Sequence, residues 1–236
     1  MANARSFALS GLWRPRRESI DVCAQRLHRF FMQLCESSPR FEHWFRGANS
    51  KKKAMERPVD VHDLAVMTQL LLKGRNRTDA GKKVIEELGF RVSVWNGARE
   101  YEDEAGASIG CGAYCKVAAL AYPNSVSVRF PKDLREFADW RQMYKIMKFT
   151  AKVWEPDFLT VFSRDAADAR EFTYPFVDWM LYLSQDHYQL PKSPPAAHVE
   201  QIDNLGTLIV VQDELPDPAN EEHNQNIHQV RLALGL

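Results

Sequence analysis

Apolar residues recur every three or four positions between Ile20 and Leu34, and this spacing predicts an amphipathic helix. Pro39 ends the helix, because a proline moves the preceding Ser38 out of the helical region. The apolar seam consists of Ile20, Ala24, Leu27, Phe31 and Leu34, widened by Cys23 and Phe30. Phe41, Trp44 and Phe45 follow, and we expect these large rings to fold back over the helix end as core. The alternative is that a minority of them, such as Trp44 or Phe45, stays accessible to a partner.

Further helices are predicted before and after a series of strands. One begins at Asp60 as its cap and ends near Leu72, before Gly74. A short helix is expected from Asp79 to Gly89. A long helix should run from about Leu134 to Trp154. Its inner face is expected to contain Phe137, Trp140, Tyr144, Met147, Ala151 and Trp154. A last helix should start with Asp217 as cap and Pro218 as first residue; its inner face would be His223, Ile227, Val230 and Leu234.

Strand patterns lie between these helices. Phe90, Val92 and Val94 alternate with more polar residues, and Asn96-Gly97 supplies a turn. The second-last strand candidate, FVDWMLYLS, also has a helical interpretation, but its aromatic content favours a strand. Six strands are predicted, at residues 90–95, 107–114, 125–130, 157–163, 176–184 and 206–213.

The order and spacing of these elements predict an α+β fold. Many strands are joined by segments too short for a parallel crossover, so the sheet should be mostly antiparallel. We expect a single domain over residues 1–236, with about six strands and with N-terminal, central and C-terminal helices packed on the sheet.

The composition is that of an ordinary globular protein, with 45% hydrophobic and 26% charged residues in a chain of 236. No apolar run approaches the roughly 18 residues of a membrane span, so no membrane contact is predicted. The N-terminus is a poor secretory signal. The four cysteines do not suggest a disulfide framework in a chain this long. These observations favour a cytoplasmic location with reduced thiols.

The formal net charge is zero, but the charge is unevenly distributed. Residues 1–100 carry 19 Lys and Arg against 11 Asp and Glu, which gives +8. Residues 193–236 carry one Arg and seven acidic residues, which gives −6. The balanced total argues against direct nucleic-acid binding. The acidic end is either a solvated surface or a local negative patch for a partner.

Signatures of catalysis are missing from the sequence. There is no zinc pattern, P-loop or nucleophile-elbow motif. No Asp or Glu has a Lys two positions later, which disfavours one common type of metal-dependent nuclease. We therefore predict no catalytic residues, no metal site and no cofactor.

Several segments in order along the chain resemble a known family. They are RRES, RFFMQL and PRFEHWF near the N-terminus, then GFRVSVWNG, a long helix ending in VWEPDF, and finally VDWMLYLS and GTLIVV. This order is similar to that of the Immunity protein 52 family of bacterial polymorphic toxin systems, from about residue 13 to residue 235.

The resemblance implies a protein that is not an enzyme and that binds and blocks a toxin domain encoded beside it. Family members are often paired with restriction-endonuclease-like toxins, which implies a DNase partner delivered by a contact-dependent machine such as the type VI secretion system. The oligomeric state is not implied.

Two acidic stretches are candidates for toxin contact, because a DNA-cleaving toxin must present positive charge to phosphates. The first is Glu100, Tyr101, Glu102, Asp103 and Glu104, with Tyr101 as a candidate anchor. The second is Asp213, Glu214, Asp217, Glu221 and Glu222. Allosteric inhibition, with the toxin site left open, is an alternative.

Two other function classes stay open from the residues alone. An adaptor or chaperone that escorts an effector into a secretion apparatus also needs no active site. An enzyme with dispersed catalytic residues would instead require a deep pocket that holds a titratable pair.

Overall fold

The computed structural model describes residues 6–116, 121–132, 134–169, 174–188 and 195–236. The chain packs as two compact units. The N-terminal unit is Leu12–Val128, and the C-terminal unit combines Met1–Gly11 with Arg129–Leu236. The single domain over residues 1–236 stays a prediction.

The fold is α+β, as predicted, and six α-helices lie within the described residues. They are α1 (Ile20–Ser37), α2 (Lys51–Met55), α3 (Leu64–Lys73), α4 (Trp140–Trp154), α5 (Arg164–Ala169) and α6 (Glu221–Leu234).

Within the described residues the sheet structure is antiparallel, as predicted, but it contains ten strands rather than about six. The strands are β1 (Phe7–Trp13), β2 (Trp44–Arg46), β3 (Pro58–Val59), β4 (Phe90–Trp95), β5 (Gly106–Cys111), β6 (Asn124–Arg129), β7 (Phe158–Ser163), β8 (Met180–Ser184), β9 (His198–Ile202) and β10 (Gly206–Val210). The sequence missed β1, β2, β3 and β9. Strands β2 and β3 are only three and two residues long, and four of the five residues of β9 are exposed. None of these three strands therefore shows a clear alternation of apolar and polar residues.

In the N-terminal unit the strands are hydrogen-bonded in the order β3-β2-β4-β5-β6. The β4–β5 ladder runs from Phe90 opposite Cys111 to Trp95 opposite Gly106. Helix α1 packs on α3, and α3 packs on β4. The expected burial of the three aromatic residues after α1 is confirmed for two of them. Phe41 and Trp44 are buried and their rings stack at 5.7 Å, whereas Phe45 is half-buried beside Trp95.

Two helix predictions in this unit were wrong in detail. Helix α3 begins at Leu64 because Asp63, not Asp60, accepts hydrogen bonds from the first helical N–H groups. Asp60 instead closes the preceding turn, where its Oδ1 accepts from the His62 N–H. The expected helix from Asp79 to Gly89 is a series of turns, with Arg77 bridged to Val84 and only a short 3₁₀ turn before Gly89.

In the C-terminal unit the strand order is β1-β7-β8-β10-β9. Strand β8 pairs with β7 on one side and β10 on the other, and all five of its residues are buried. Helix α4 packs on β8 and β10. Trp179 anchors this core: it is fully buried, its Nε1 donates to the Gln212 carbonyl at 3.1 Å, and its ring contacts Phe7 edge-on.

The long central helix starts later than predicted, and four of the six residues expected on its inner face are buried, namely Phe137, Met147, Ala151 and Trp154. A 3₁₀ turn covers Arg135–Ala138, and Asp139 then caps α4. Trp140 and Tyr144 are half-buried on its flank rather than inside. The buried face is Met143, Ile146, Met147, Thr150, Ala151, Val153 and Trp154.

The last helix also begins after the predicted position. Asn220 caps α6, because its Oδ1 accepts from the Glu222 N–H at 2.9 Å. Asp217 forms a tight turn instead, accepting from the Ala219 N–H. Of the predicted inner face, Ile227 and Val230 are buried, and His223 and Leu234 are half-buried.

Candidate partner-binding surfaces

The first acidic stretch, residues 100–104, is a short turn between β4 and β5 that we call the acidic turn. The side chain of Asn96 fixes its base. The Asn96 amide nitrogen donates to the Asp103 and Arg40 carbonyls at 3.0 and 3.3 Å, and its Oδ1 accepts from the Ala105 N–H at 2.9 Å. Gly97 allows the chain to reverse here, because its φ is +72° and a Cβ would lie 2.4 Å from the Phe45 ring.

The acidic turn divides into an exposed part and a supporting part. Glu100, Tyr101 and Glu102 are exposed, and 58% of the Tyr101 surface is accessible. Asp103 is half-buried, and its Oδ1 lies 3.1 Å from the Arg40 Nη1. The prediction that this stretch contacts a toxin, with Tyr101 as a candidate anchor, stays a prediction. Asp103 also has a structural role, because its ion pair with Arg40 holds the turn in place.

The second acidic stretch, residues 213–222, runs from the end of β10 into α6, and we call it the acidic segment. Asp213 is exposed, and its Oδ1 lies 2.7 Å from the His198 Nε2. The His198 ring in turn stacks on Trp140, with ring centroids 4.0 Å apart. Glu214 is exposed, and its backbone carbonyl accepts a hydrogen bond from the Gln212 Nε2 at 3.3 Å.

The other acidic residues of this segment have local structural roles. The Asp217 N–H donates to His223 Nδ1 at 3.0 Å. Glu221 and Glu222 are exposed in the first turn of α6, where negative charge offsets the positive end of the helix dipole. Of the nine acidic residues in the two stretches, six are exposed, and Asp103, Glu104 and Asp217 are half-buried. Their contact with a toxin stays a prediction.

A polar seam between α4 and β9 was not predicted. Glu200 of β9 accepts a hydrogen bond from the Tyr144 hydroxyl, and its Oε1 lies 2.7 Å from Lys148 Nζ. Lys152 is similarly paired with Asp203 at 2.8 Å. The bond from Lys148, followed by that from Tyr144, lowers the pKa of Glu200, while burial and Glu200 raise the pKa of Tyr144. The sequence feature that could have revealed this seam is the four-residue spacing of Tyr144, Lys148 and Lys152, which places them on one flank of the helix.

Neither a metal-holding cluster nor a membrane-spanning helix is found in the described part of the chain. No group of three or more His, Cys, Asp or Glu side chains there could hold a metal ion. No helix in the described segments is long and apolar enough to cross a bilayer.

A cavity of about 310 Å³ is lined by Arg17, Glu18, Arg75, Phe90 and Tyr114, among others. Arg17 lies over the Tyr114 ring and Arg75 over the Phe90 ring, which makes these arginines part of the cavity wall.

The comparison with family models matches residues 6–235 to Immunity protein 52. The chain belongs to the Immunity protein 52 family. The predicted resemblance is thereby confirmed over slightly more of the chain than expected. The comparison with curated proteins finds no match.

One solved structure similar to this Immunity protein 52 member is described as Pseudomonas aeruginosa T6SS protein PA0821. The two have a TM-score of 0.56 and 11% sequence identity. The alignment covers 98% of this chain and 75% of the other. At that identity the likeness concerns the fold. Membership of the Immunity protein 52 family itself supports an immunity-type role that is exercised by binding a toxin.

Proposed function

We propose that this chain is an immunity protein that binds a cognate antibacterial DNase toxin, blocks it, and thereby protects the cytoplasm of the producing cell. The observation that carries the proposal is the family match over residues 6–235. The exposed carboxylates of the acidic turn and the acidic segment support it, since an inhibitor acts through its surface and needs no catalytic set.

Delivery of the toxin by a type VI secretion system is part of the same proposal. It is supported by the fold likeness to a protein described as a T6SS protein. The restriction-endonuclease-like class of the toxin rests on the sequence resemblance alone.

The proposed mechanism is electrostatic occupation of the DNA-binding surface of the toxin. A nuclease presents Lys and Arg to phosphates, so an acidic surface can compete for the same groove. Complementary charge raises the association rate and fixes the register, while buried anchors provide the lasting affinity. Glu100, Glu102 and Glu214 are the exposed charges best suited to the first task, and Tyr101 is suited to the second.

The direct test is protection of a bacterial host that expresses the toxin domain encoded beside this chain. Co-expression of the chain should restore growth and keep chromosomal DNA intact, and the purified chain should stop cleavage of a plasmid by the toxin. A chain that stabilises the toxin domain but leaves its nuclease activity unchanged would indicate the adaptor or chaperone role instead. Equal killing with and without the chain would refute the proposal.

Charge reversal in the acidic turn is expected to slow toxin association. The variant Glu100→Lys with Glu102→Lys should lower the association rate constant about tenfold at low salt and flatten its salt dependence. Surface plasmon resonance with immobilised toxin domain measures both. The matched control is Glu36→Lys with Glu56→Lys, which makes the same charge change at exposed positions outside both acidic stretches. Unchanged association of the first variant would remove the acidic turn from the interface.

A further inference from the structure

Four cationic side chains from separate segments of the N-terminal unit line two adjoining cavities. Arg46, Arg57 and Lys73 line one of about 470 Å³, and Arg46, Lys73 and Arg91 line another of about 280 Å³. The two cavities share Arg46, Leu70 and Lys73, and we call them together the basic groove. No Asp or Glu is part of the lining of either cavity.

Backbone hydrogen bonds hold these cations together. The Arg46 N–H donates to the Arg57 carbonyl at 3.0 Å, and the Arg91 N–H donates to the Gly74 carbonyl at 2.9 Å. Arg46 also lies opposite Val94 in the β2–β4 ladder. The four positions are thus fixed by the sheet and by the end of α3, although they lie far apart in the sequence.

The structure offers these cations little compensation. Within the described residues no ion pair involves Arg46, Arg57, Lys73 or Arg91, and the Arg57 guanidinium reaches only the Gly47 carbonyl, at 3.4 Å. Lys73 lies in the last turn of α3, where the helix dipole favours a cation, and this accounts for one of the four. Arg57 and Arg91 are exposed and Arg46 is half-buried, so these three cations are accessible to an anionic partner.

The remaining lining of the groove indicates the chemistry of that partner. Its larger cavity is walled by aliphatic residues, among them Val59, Val66 and Leu70. Neither cavity presents an aromatic ring on which a base could stack, as single-stranded nucleic-acid sites do. Aliphatic walls beside arginines suit a polypeptide that carries aliphatic side chains next to carboxylates, because guanidinium pairs with carboxylate in a bidentate manner.

We propose that the basic groove is a second contact surface for the toxin and that it takes an acidic, aliphatic-containing segment of that protein. This inference rests on the proposed function, and it assigns to the interface a surface of the opposite sign to the acidic turn. A toxin docked through both would present a basic region to one and carboxylates to the other, which fixes its orientation.

The test is isothermal titration of the toxin domain encoded beside this chain into the full chain and three variants. Reversing Arg46, Lys73 and Arg91 to Glu is expected to weaken binding at least about 100-fold. The milder Arg46→Gln with Arg91→Gln, which keeps long polar side chains, should weaken it at least about tenfold. The matched control reverses Lys52, Lys53 and Lys83, which are exposed and outside the groove, and should bind within about threefold of the parent. Circular dichroism checks that each variant is folded. If the triple reversal does not fold, the binding of the double Gln variant decides the test.

The outcomes separate this inference from the proposed function. If the parent chain binds the toxin and the groove variants bind equally well, the groove is not part of the interface, while the proposed function stands. If the parent chain does not bind the toxin at all, both fail. Each protein is also titrated with a fluorescein-labelled 20-base-pair DNA duplex. Duplex binding that depends on Arg46 and Arg91, with toxin binding unaffected, would assign the groove to nucleic acid and overturn the inference.

Discussion

Replacing Gly74 by Ala is expected to lower the free energy of unfolding by about 3 kcal/mol, near the upper end for overpacking a close contact. Gly74 ends α3, and its backbone lies directly against β4. A Cβ there would be 1.7 Å from the Arg91 carbonyl oxygen and 2.8 Å from the Arg91 carbonyl carbon. Both atoms belong to the backbone, so the helix end must move away from the strand. The φ of Gly74 is −86°, which any residue adopts, so the effect is steric.

Gly47 provides the matched control for this substitution. It lies in the same groove lining, but a Cβ at Gly47 would meet no atom within 4 Å. Gly47→Ala should therefore change the free energy of unfolding by no more than about 0.5 kcal/mol. Urea denaturation, monitored by tryptophan fluorescence, compares the free energies of unfolding of the two variants. Equal stability of both variants would mean that α3 does not approach β4 as closely as described.

The same contact links stability to the proposed second surface. The Gly74 carbonyl accepts from the Arg91 N–H, so displacing the end of α3 separates Lys73 from Arg91. Gly74→Ala should then weaken toxin binding as well as stability. The geometry of the basic groove thus depends on a glycine that no charge pattern would have singled out.

The sequence predicted the elements whose pattern is local and strong. Helix α1 has a capping Ser19, a regular seam and a proline beyond its end, and all three lie within a short stretch. Strands β4, β6, β7, β8 and β10 carry enough alternating or continuous apolar residues to be recognised alone. Their existence follows from side-chain burial, which a single segment displays.

The missed elements depend on partners distant in the sequence. Strands β2 and β3 exist because Trp44 pairs with Val59 and Phe45 with Trp95. Strand β1 does alternate, with buried Phe7, Leu9, Gly11 and Trp13, but Gly11 interrupts the apolar run at the position where a side chain would have shown it. For α3, two aspartates lie within reach of the helix start, and only the fold decides that Asp63 caps it.

The candidate surfaces also differ in whether their residues are close together in the sequence. The acidic turn and the acidic segment are contiguous in sequence, so these acidic clusters could be found from the sequence, although the Arg40–Asp103 pair and the His198–Asp213 pair could not. The basic groove draws Arg46, Arg57, Lys73 and Arg91 from four segments. The excess of positive charge in residues 1–100 was visible, but the place where it concentrates is set by β-ladder register and by the end of α3.

Replacing Asn124 by Asp is expected to cost about 4 kcal/mol of stability at pH 7, because buried polar groups lose their partners and a charge is buried. Asn124 is fully buried at the start of β6. Its amide nitrogen donates to the Ala113 and Arg14 carbonyls at 2.9 and 3.0 Å, and its Oδ1 accepts from the Ala113 N–H at 2.8 Å. Three segments of the N-terminal unit therefore meet on one side chain.

The pH dependence of this variant distinguishes lost hydrogen bonds from a general loss of packing. A carboxylate at position 124 would place an oxygen against two carbonyl oxygens, so its pKa in the folded state should lie above the usual value of about 3.9. A raised pKa means that stability is present below the unfolded-state pKa and is lost as the pH rises through the folded-state pKa. Asn124→Asp should therefore be closer to the parent in stability at pH 4 than at pH 7, whereas Asn124→Ala should show the same deficit at both. The exposed Ser93→Ala, which removes only the 2.9 Å bond to Ser108, serves as the control and should cost less than about 1 kcal/mol. Denaturant unfolding of the four proteins at the two pH values measures these differences, and a pH-independent deficit for Asn124→Asp would contradict the buried hydrogen-bond arrangement.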